Sequence, residues 1–140
     1  MTQESIFIPM IVMAFLTFIP LGLIPFKRFQ SGFQGRTTPD DFKLGESAKV
    51  PPDVAIPNRN YMSTLEAPVL FHVIILALYV THKVDMVFLD LSWAYVALRA
   101  AHSVIHLTYN RVIHRLIPFA ISNFVLIAMW VMFAMKLCGR

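Results

Sequence analysis

The chain has 140 residues, of which 57% are hydrophobic, and its mean hydropathy is +0.64, which excludes an ordinary water-soluble domain. The net charge of +4 and pI near 9.5 sit in loops and helix flanks, so they point to topology and anionic lipid rather than to nucleic acid. The single cysteine, Cys138, excludes an intramolecular disulfide and a cysteine metal cluster.

The fold class that follows is an all-α integral membrane protein, a single domain over residues 1–140 with four spanning helices at about 5–26, 59–81, 86–108 and 115–138. Each apolar run is about 20 residues, the length that crosses ~30 Å of hydrocarbon. In the first, Ile6–Phe26, only Thr17 and prolines interrupt the apolar residues. Its flank, MTQES, is acidic, and no small-x-small cleavage site follows, so it reads as a retained helix rather than a signal peptide. Residues 27–58 then form a polar loop punctuated by Gly32, Gly35, Gly45, Pro39, Pro51, Pro52 and Pro57. At this length it is either ordered against the bundle or functional.

The second helix carries Arg59, Ser63, Glu66 and His72. A short turn, Thr81–Asp85, makes the third helix its antiparallel neighbour. That third helix holds Asp90, Arg99, His102 and His106, and the fourth holds Ser122, Asn123 and Lys136. Pro9, Pro20, Pro68 and Pro118 read as helix starts and kinks, which membrane helices tolerate. Lysine and arginine counts set the orientation. Lys27, Arg28, Arg36, Lys43, Lys49, Arg59, Arg111 and Arg115 fall on one side, against Lys83, Lys136 and Arg140 on the other. Both termini are therefore expected outside the cytoplasm.

Ionisable side chains inside a bilayer tend to face the bundle interior and pair. Arg59, Ser63 and Glu66 share one face of the second helix, and Tyr95, Arg99, His102 and His106 share one face of the third. Glu66 lies roughly 10 Å and Arg99 roughly 12 Å from the cytoplasmic ends of their helices at 1.5 Å per residue. Matching depth and opposite charge predict a Glu66–Arg99 pair within a subunit or across a subunit seam. His102 and His106 have the i, i+4 spacing of a two-histidine metal site, and Glu66 is the candidate third ligand. No H-E-x-x-H or E-x-x-H accompanies them, so they read as helix-packing donors and no metal ligand is assigned.

Three features together resemble the MAPEG superfamily, the membrane-associated proteins of eicosanoid and glutathione metabolism, in a bacterial-type member. They are four helices with a long polar first loop, R-x6-E at Arg59 and Glu66, and R-x-x-H-x-x-x-[YH]-x8-R at Arg99, His102, His106 and Arg115. The resemblance implies a homotrimer, multi-pass in a bacterial inner membrane, with glutathione bound between subunits at the cytoplasmic end. It makes Arg59, Ser63, Glu66, Arg99, His102 and His106 candidates for holding glutathione and Arg115 the candidate catalytic group that stabilises the thiolate. Arginines and a glutamate suit a tripeptide with two carboxylates and an ammonium, and a nearby cation lowers a thiol pKa. Ser63 stands where many members have Asn, His106 where Tyr is common, and Phe119 where a later Tyr often stands, so several hydrogen-bond donors differ. The implied function is a glutathione-dependent transferase or peroxidase acting on a lipophilic small molecule, with membrane lipids as surroundings. The alternative is a non-catalytic relative that binds lipid or a partner protein.

Overall fold

The computed structural model describes every residue except Glu46 and Arg140, so Arg140, counted above in the charge asymmetry, lies outside the described residues. The described chain is helical. Four α-helices, α1 (Phe7–Phe33), α2 (Pro52–Val80), α3 (Met86–Leu107) and α4 (Val112–Cys138), are joined by turns, with short 3-10 segments at Gln3–Ile6 and Pro39–Phe42. Helices α1 and α2 pack most extensively on each other, as do α3 and α4, while α1 with α3, α2 with α3 and α2 with α4 meet less extensively.

The long loop is shorter than the sequence suggested. Pro25 does not end α1, which runs on to Phe33 rather than stopping at 26. Its missing N–H removes one helical hydrogen bond, and the helix accommodates that loss as membrane helices do. Gly35, with φ of +71°, turns the chain away in a left-handed conformation that glycine adopts without strain. At the other end of the loop α2 begins at Pro52 rather than at 59. Pro51 is extended (φ −62°, ψ 148°) and Pro52 occupies the first helical position, where its fixed φ is already helical and its missing N–H has no partner to lose. The two prolines start the helix instead of breaking it. At the α3 start, Asp85 Oδ1 accepts from the Phe88 N–H at 3.0 Å, a side-chain cap of the kind that satisfies an otherwise orphaned donor.

Three helical stretches, Gln3–Phe33, Pro52–Val80 and Val112–Cys138, are long and apolar enough to cross a membrane. α3 has the length, with 22 residues, but its Asp, Arg, Ser and His residues keep it out of that set. The distribution of side chains explains how such a helix is tolerated. Phe15, Phe18, Phe124 and Ile127 are exposed on the outside, whereas Arg99, His102, Ser103 and His106 of α3 are buried within. An apolar exterior around a partly polar interior suits lipid as solvent, and the chain is an integral membrane protein. The apolar core, including Met13, Phe71, Ile75, Leu78, Phe88 and Met129, fills the end of the bundle where α1 and α3 begin and α2 and α4 end. Phe71 and Tyr95 stack across α2 and α3 with ring centroids 4.6 Å apart.

Candidate functional site

The opposite end of the bundle holds a cleft of about 670 Å³. Its walls come from the start of α2, the end of α3, the start of α4 and the loop residues Ser47, Ala48 and Val50. Arg59, Ser63, His102, His106 and Arg115 all line it. These are five of the seven residues singled out from the sequence, and the fold brings them together from three helices. Arg99 lies directly behind the wall and Glu66 does not line it.

A continuous chain of hydrogen bonds organises this wall. Arg99 Nη2 donates to the Ser63 backbone carbonyl and, at 3.0 Å, to Ser63 Oγ. Ser63 Oγ lies 3.3 Å from His102 Nε2. His102 Nδ1 lies 3.0 Å from the Arg115 carbonyl oxygen. A carbonyl only accepts, so Nδ1 carries the proton, and in the neutral ring Nε2 then accepts from the Ser63 hydroxyl. The direction of donation runs from Arg99 through Ser63 and His102 to the backbone of α4. It fixes the imidazole's orientation at the cleft wall.

Aromatic packing reinforces the wall. The Phe119 ring sits 5.4 Å from the His102 ring and 5.4 Å from the Arg99 guanidinium carbon, and the His102 and His106 rings meet edge to face at 5.8 Å. A cation over an aromatic face gains from the ring quadrupole, a role Phe119 fills without the hydroxyl a tyrosine would bring. Arg115 Nη1 donates to Asn110 Oδ1 at 2.7 Å. Asn110 adopts φ of +48°, and its N–H closes the α3 C-terminus onto the Ile105 carbonyl at 2.7 Å. A left-handed asparagine thus both ends α3 and steers the Arg115 side chain. No described carboxylate lines the cleft, so Arg59 and Arg115, with Arg99 behind them, make it cationic.

The expected Glu66–Arg99 pair does not form within the chain. Arg99 is fully buried and Glu66 is exposed. The reason is helical phase. The buried stripe of α2 runs through Asn60, Thr64, Pro68 and Phe71, and Glu66 falls on the side away from it at 100° per residue. Ser63, one turn earlier and flanking the stripe, meets Arg99 instead. Glu66 is therefore also too far out to complete a metal site with His102 and His106. No group of three or more His, Cys, Asp or Glu able to hold a metal ion occurs among the described residues.

Sequence reasoning missed Asn60, Ser103 and Asn110. Asn60 is 0% exposed with both amide atoms unpartnered in the protein, and Ser103 Oγ is likewise buried and unpartnered. Asn60 lies three residues before Ser63 and four before Thr64, so the helical period was the signal that could have found it.

No curated protein and no solved structure matches the chain. The MAPEG family model matches residues 6–135. That match takes in all four helices, the cleft and the Arg99–Arg115 constellation, and the chain belongs to the MAPEG family.

Proposed function

We propose that the protein is a glutathione-dependent transferase or peroxidase that acts on a lipophilic electrophile delivered from the bilayer. Family membership is consistent with a glutathione- or eicosanoid-related membrane function. The single observation that carries the finer reading is the cationic cleft in which Arg59 and Arg115 accompany Ser63, His102 and His106. Two guanidinium groups suit the two carboxylates of glutathione. The apolar lining, with Val50, Ile56, Leu116 and Phe119, suits the electrophile. The tripeptide's ammonium has no described carboxylate in the cleft. In a homotrimer with sites at the seams, Glu66, exposed on α2, would serve a neighbour's site.

In this reading Arg115 stabilises the thiolate, which attacks the electrophilic carbon and expels its leaving group, or attacks a peroxide oxygen, breaking the O–O bond to release an alcohol and leave a glutathione sulfenic acid that a second glutathione converts to the disulfide and water. Arg59, Ser63 and His102 hold the peptide, and His106 closes the wall beside them. The Arg99–Ser63–His102 chain sets the wall's geometry without supplying a base, since protonating His102 would place a third charge between two arginines. The lysine and arginine asymmetry supports a cytoplasmic cleft in a bacterial inner membrane, with both termini on the other side.

Turnover of a model lipophilic electrophile by the detergent-purified chain tests the proposal. Arg115→Ala should remove most of kcat while glutathione binding weakens less, because the lost interaction is made to the reactive state. Wild-type protein that binds no glutathione at millimolar concentration contradicts it. That result would favour a non-catalytic lipid- or partner-binding role, for which the outward placement of Glu66 is the supporting observation.

A further inference from the structure

The backbone of Arg115 is held on both sides. Its carbonyl accepts from His102 Nδ1 at 3.0 Å, and its N–H donates to the Arg111 carbonyl at 3.0 Å. Those bonds leave a long side chain still to be placed. Among the described residues that side chain makes one hydrogen bond, from Nη1 to Asn110 Oδ1 at 2.7 Å, and no ion pair. A guanidinium only donates and an amide oxygen only accepts, so the bond has one direction.

The turn does not require an asparagine. Asn110 has φ of +48°, a left-handed conformation that glycine takes without strain and a residue with a side chain takes at a cost. The bond that closes α3, from the Asn110 N–H to the Ile105 carbonyl, is a backbone bond that glycine would make equally. What asparagine adds is a short acceptor on a turn already pinned by its backbone. Asn110 and Arg115 are both half-buried and both line the cleft. The acceptor is also neutral. An aspartate would hold the guanidinium more strongly but would cancel its charge, whereas an amide fixes the group's place and leaves the full charge for an anion in the cleft.

We propose that Asn110 is a positioning residue for Arg115, holding the guanidinium at the cleft wall without neutralising it. In the proposed function that anion is the glutathione thiolate, so the inference rests on that reading for the anion's identity but not for the geometry. A cation placed before the anion forms needs no rearrangement at the moment of reaction.

Two variants of the full chain in detergent test this. Asn110→Gly keeps the left-handed turn and removes the acceptor, and Asn110→Asp keeps the acceptor and adds a charge. Modification by the arginine reagent phenylglyoxal is followed at Arg115 by peptide mass spectrometry, with Arg59 of the same cleft as reference. Arg115 should react about fivefold faster in Asn110→Gly, the size of one lost hydrogen bond, and more slowly than wild type in Asn110→Asp, with Arg59 unchanged in both. With a model electrophile, kcat of Asn110→Gly should fall about tenfold while KM for glutathione changes less. Asn110→Asp should move the pH–rate profile up by about one unit, because the added carboxylate disfavours a thiolate beside it. The proposal is overturned by an Arg115 rate that either variant leaves unchanged, by an equal rise at Arg59, or by a pH–rate profile that Asn110→Asp leaves in place. Should Asn110→Gly fail to fold, Asn110→Asp decides. A wild type that binds no glutathione ends the glutathione reading alone, and the modification rates then decide the positioning role by themselves.

Discussion

The two ends of the bundle are built on opposite plans. At the end where the chain starts, the interior is apolar, with Phe71, Ile74, Leu78, Phe88, Met129 and Phe133 buried together. The rim there is polar and partnered, while inside it only His72 Nδ1 and Trp130 Nε1, on otherwise apolar-packed rings, are buried without a partner among the described residues. Gln3 exchanges two hydrogen bonds with Val84, at 3.1 and 3.2 Å, and Lys136 pairs with Asp85, which also caps α3. At the cleft end the interior itself is polar, and Asn60, Arg99, Ser103 and His106 each keep a buried atom without a partner in the protein. Unpaired buried polar atoms destabilise a fold. One end supplies the stability that the other gives up to hold a constellation of charged and hydrogen-bonding groups.

Truncation should therefore have opposite consequences at the two ends. The largest effect is expected for Phe71→Ala, which opens a cavity and removes the stack on Tyr95. A loss of about 3–5 kcal/mol is expected, readable by reversible unfolding in mixed micelles, with glutathione affinity of the folded fraction unchanged. His102→Ala should cost less, about 1–2 kcal/mol, because it strands only the Ser63 hydroxyl and the Arg115 carbonyl. Its glutathione affinity should fall at least about tenfold, as expected for a lost charge-neutral hydrogen-bonding wall of this kind. If both substitutions lower stability and affinity in parallel, the division between the ends fails.

Asn60→Leu sharpens the contrast. It replaces a buried amide with unpaired atoms by an apolar group of similar size, so it should leave stability unchanged or raise it by about 1 kcal/mol. A loss of 2 kcal/mol or more, by the same order-of-magnitude reasoning, would mean that the amide has a structural partner there.

The smallest effect belongs to the apolar end's rim. Burial pushes the Asp85 carboxyl up, but the Lys136 hydrogen bond, the Phe88 and Val87 N–H groups and the Lys136 charge outweigh it and hold it below its ordinary 3.8. A depressed carboxyl contributes stability that is full above its unfolded value and is lost as the pH falls through its folded one. With 38% of the Asp85 side chain exposed, solvent screening limits this to about 0.5 kcal/mol. Melting curves of wild type and Asp85→Asn should therefore differ slightly at pH 6 and converge toward pH 3. A difference that grows on acidification contradicts the pairing.

The parts of this arrangement legible in the sequence were those written in long periods. Four apolar runs give four helices, and the i, i+4, i+7 spacing of polar residues carries Arg59, Ser63, His102 and His106 to one cleft. Local chemistry at the ends was harder to see. A Pro51–Pro52 pair reads as a breaker until its second proline is placed at the first helical position, and the first helix continues through Pro25 to Phe33, past the end of its apolar run at Phe26. Within the chain, the partner of Arg99 was misjudged because depth and charge were matched while phase was not. Glu66 has the right height and sign, but the buried stripe through Asn60 and Thr64 turns it outward and turns Ser63 inward. Backbone acceptors such as the Ser63 and Arg115 carbonyls leave no mark in a pattern of side chains.

Hydrogen exchange of the detergent-purified chain with and without saturating glutathione tests the division of labour most directly. Backbone amides report ligand contact through slowed local opening. The account predicts protection confined to the cleft segments, around residues 47–63, 102–106 and 110–119, with residues 71–78 and 88–96 unchanged. No protection anywhere, or protection centred on the apolar end, would contradict it.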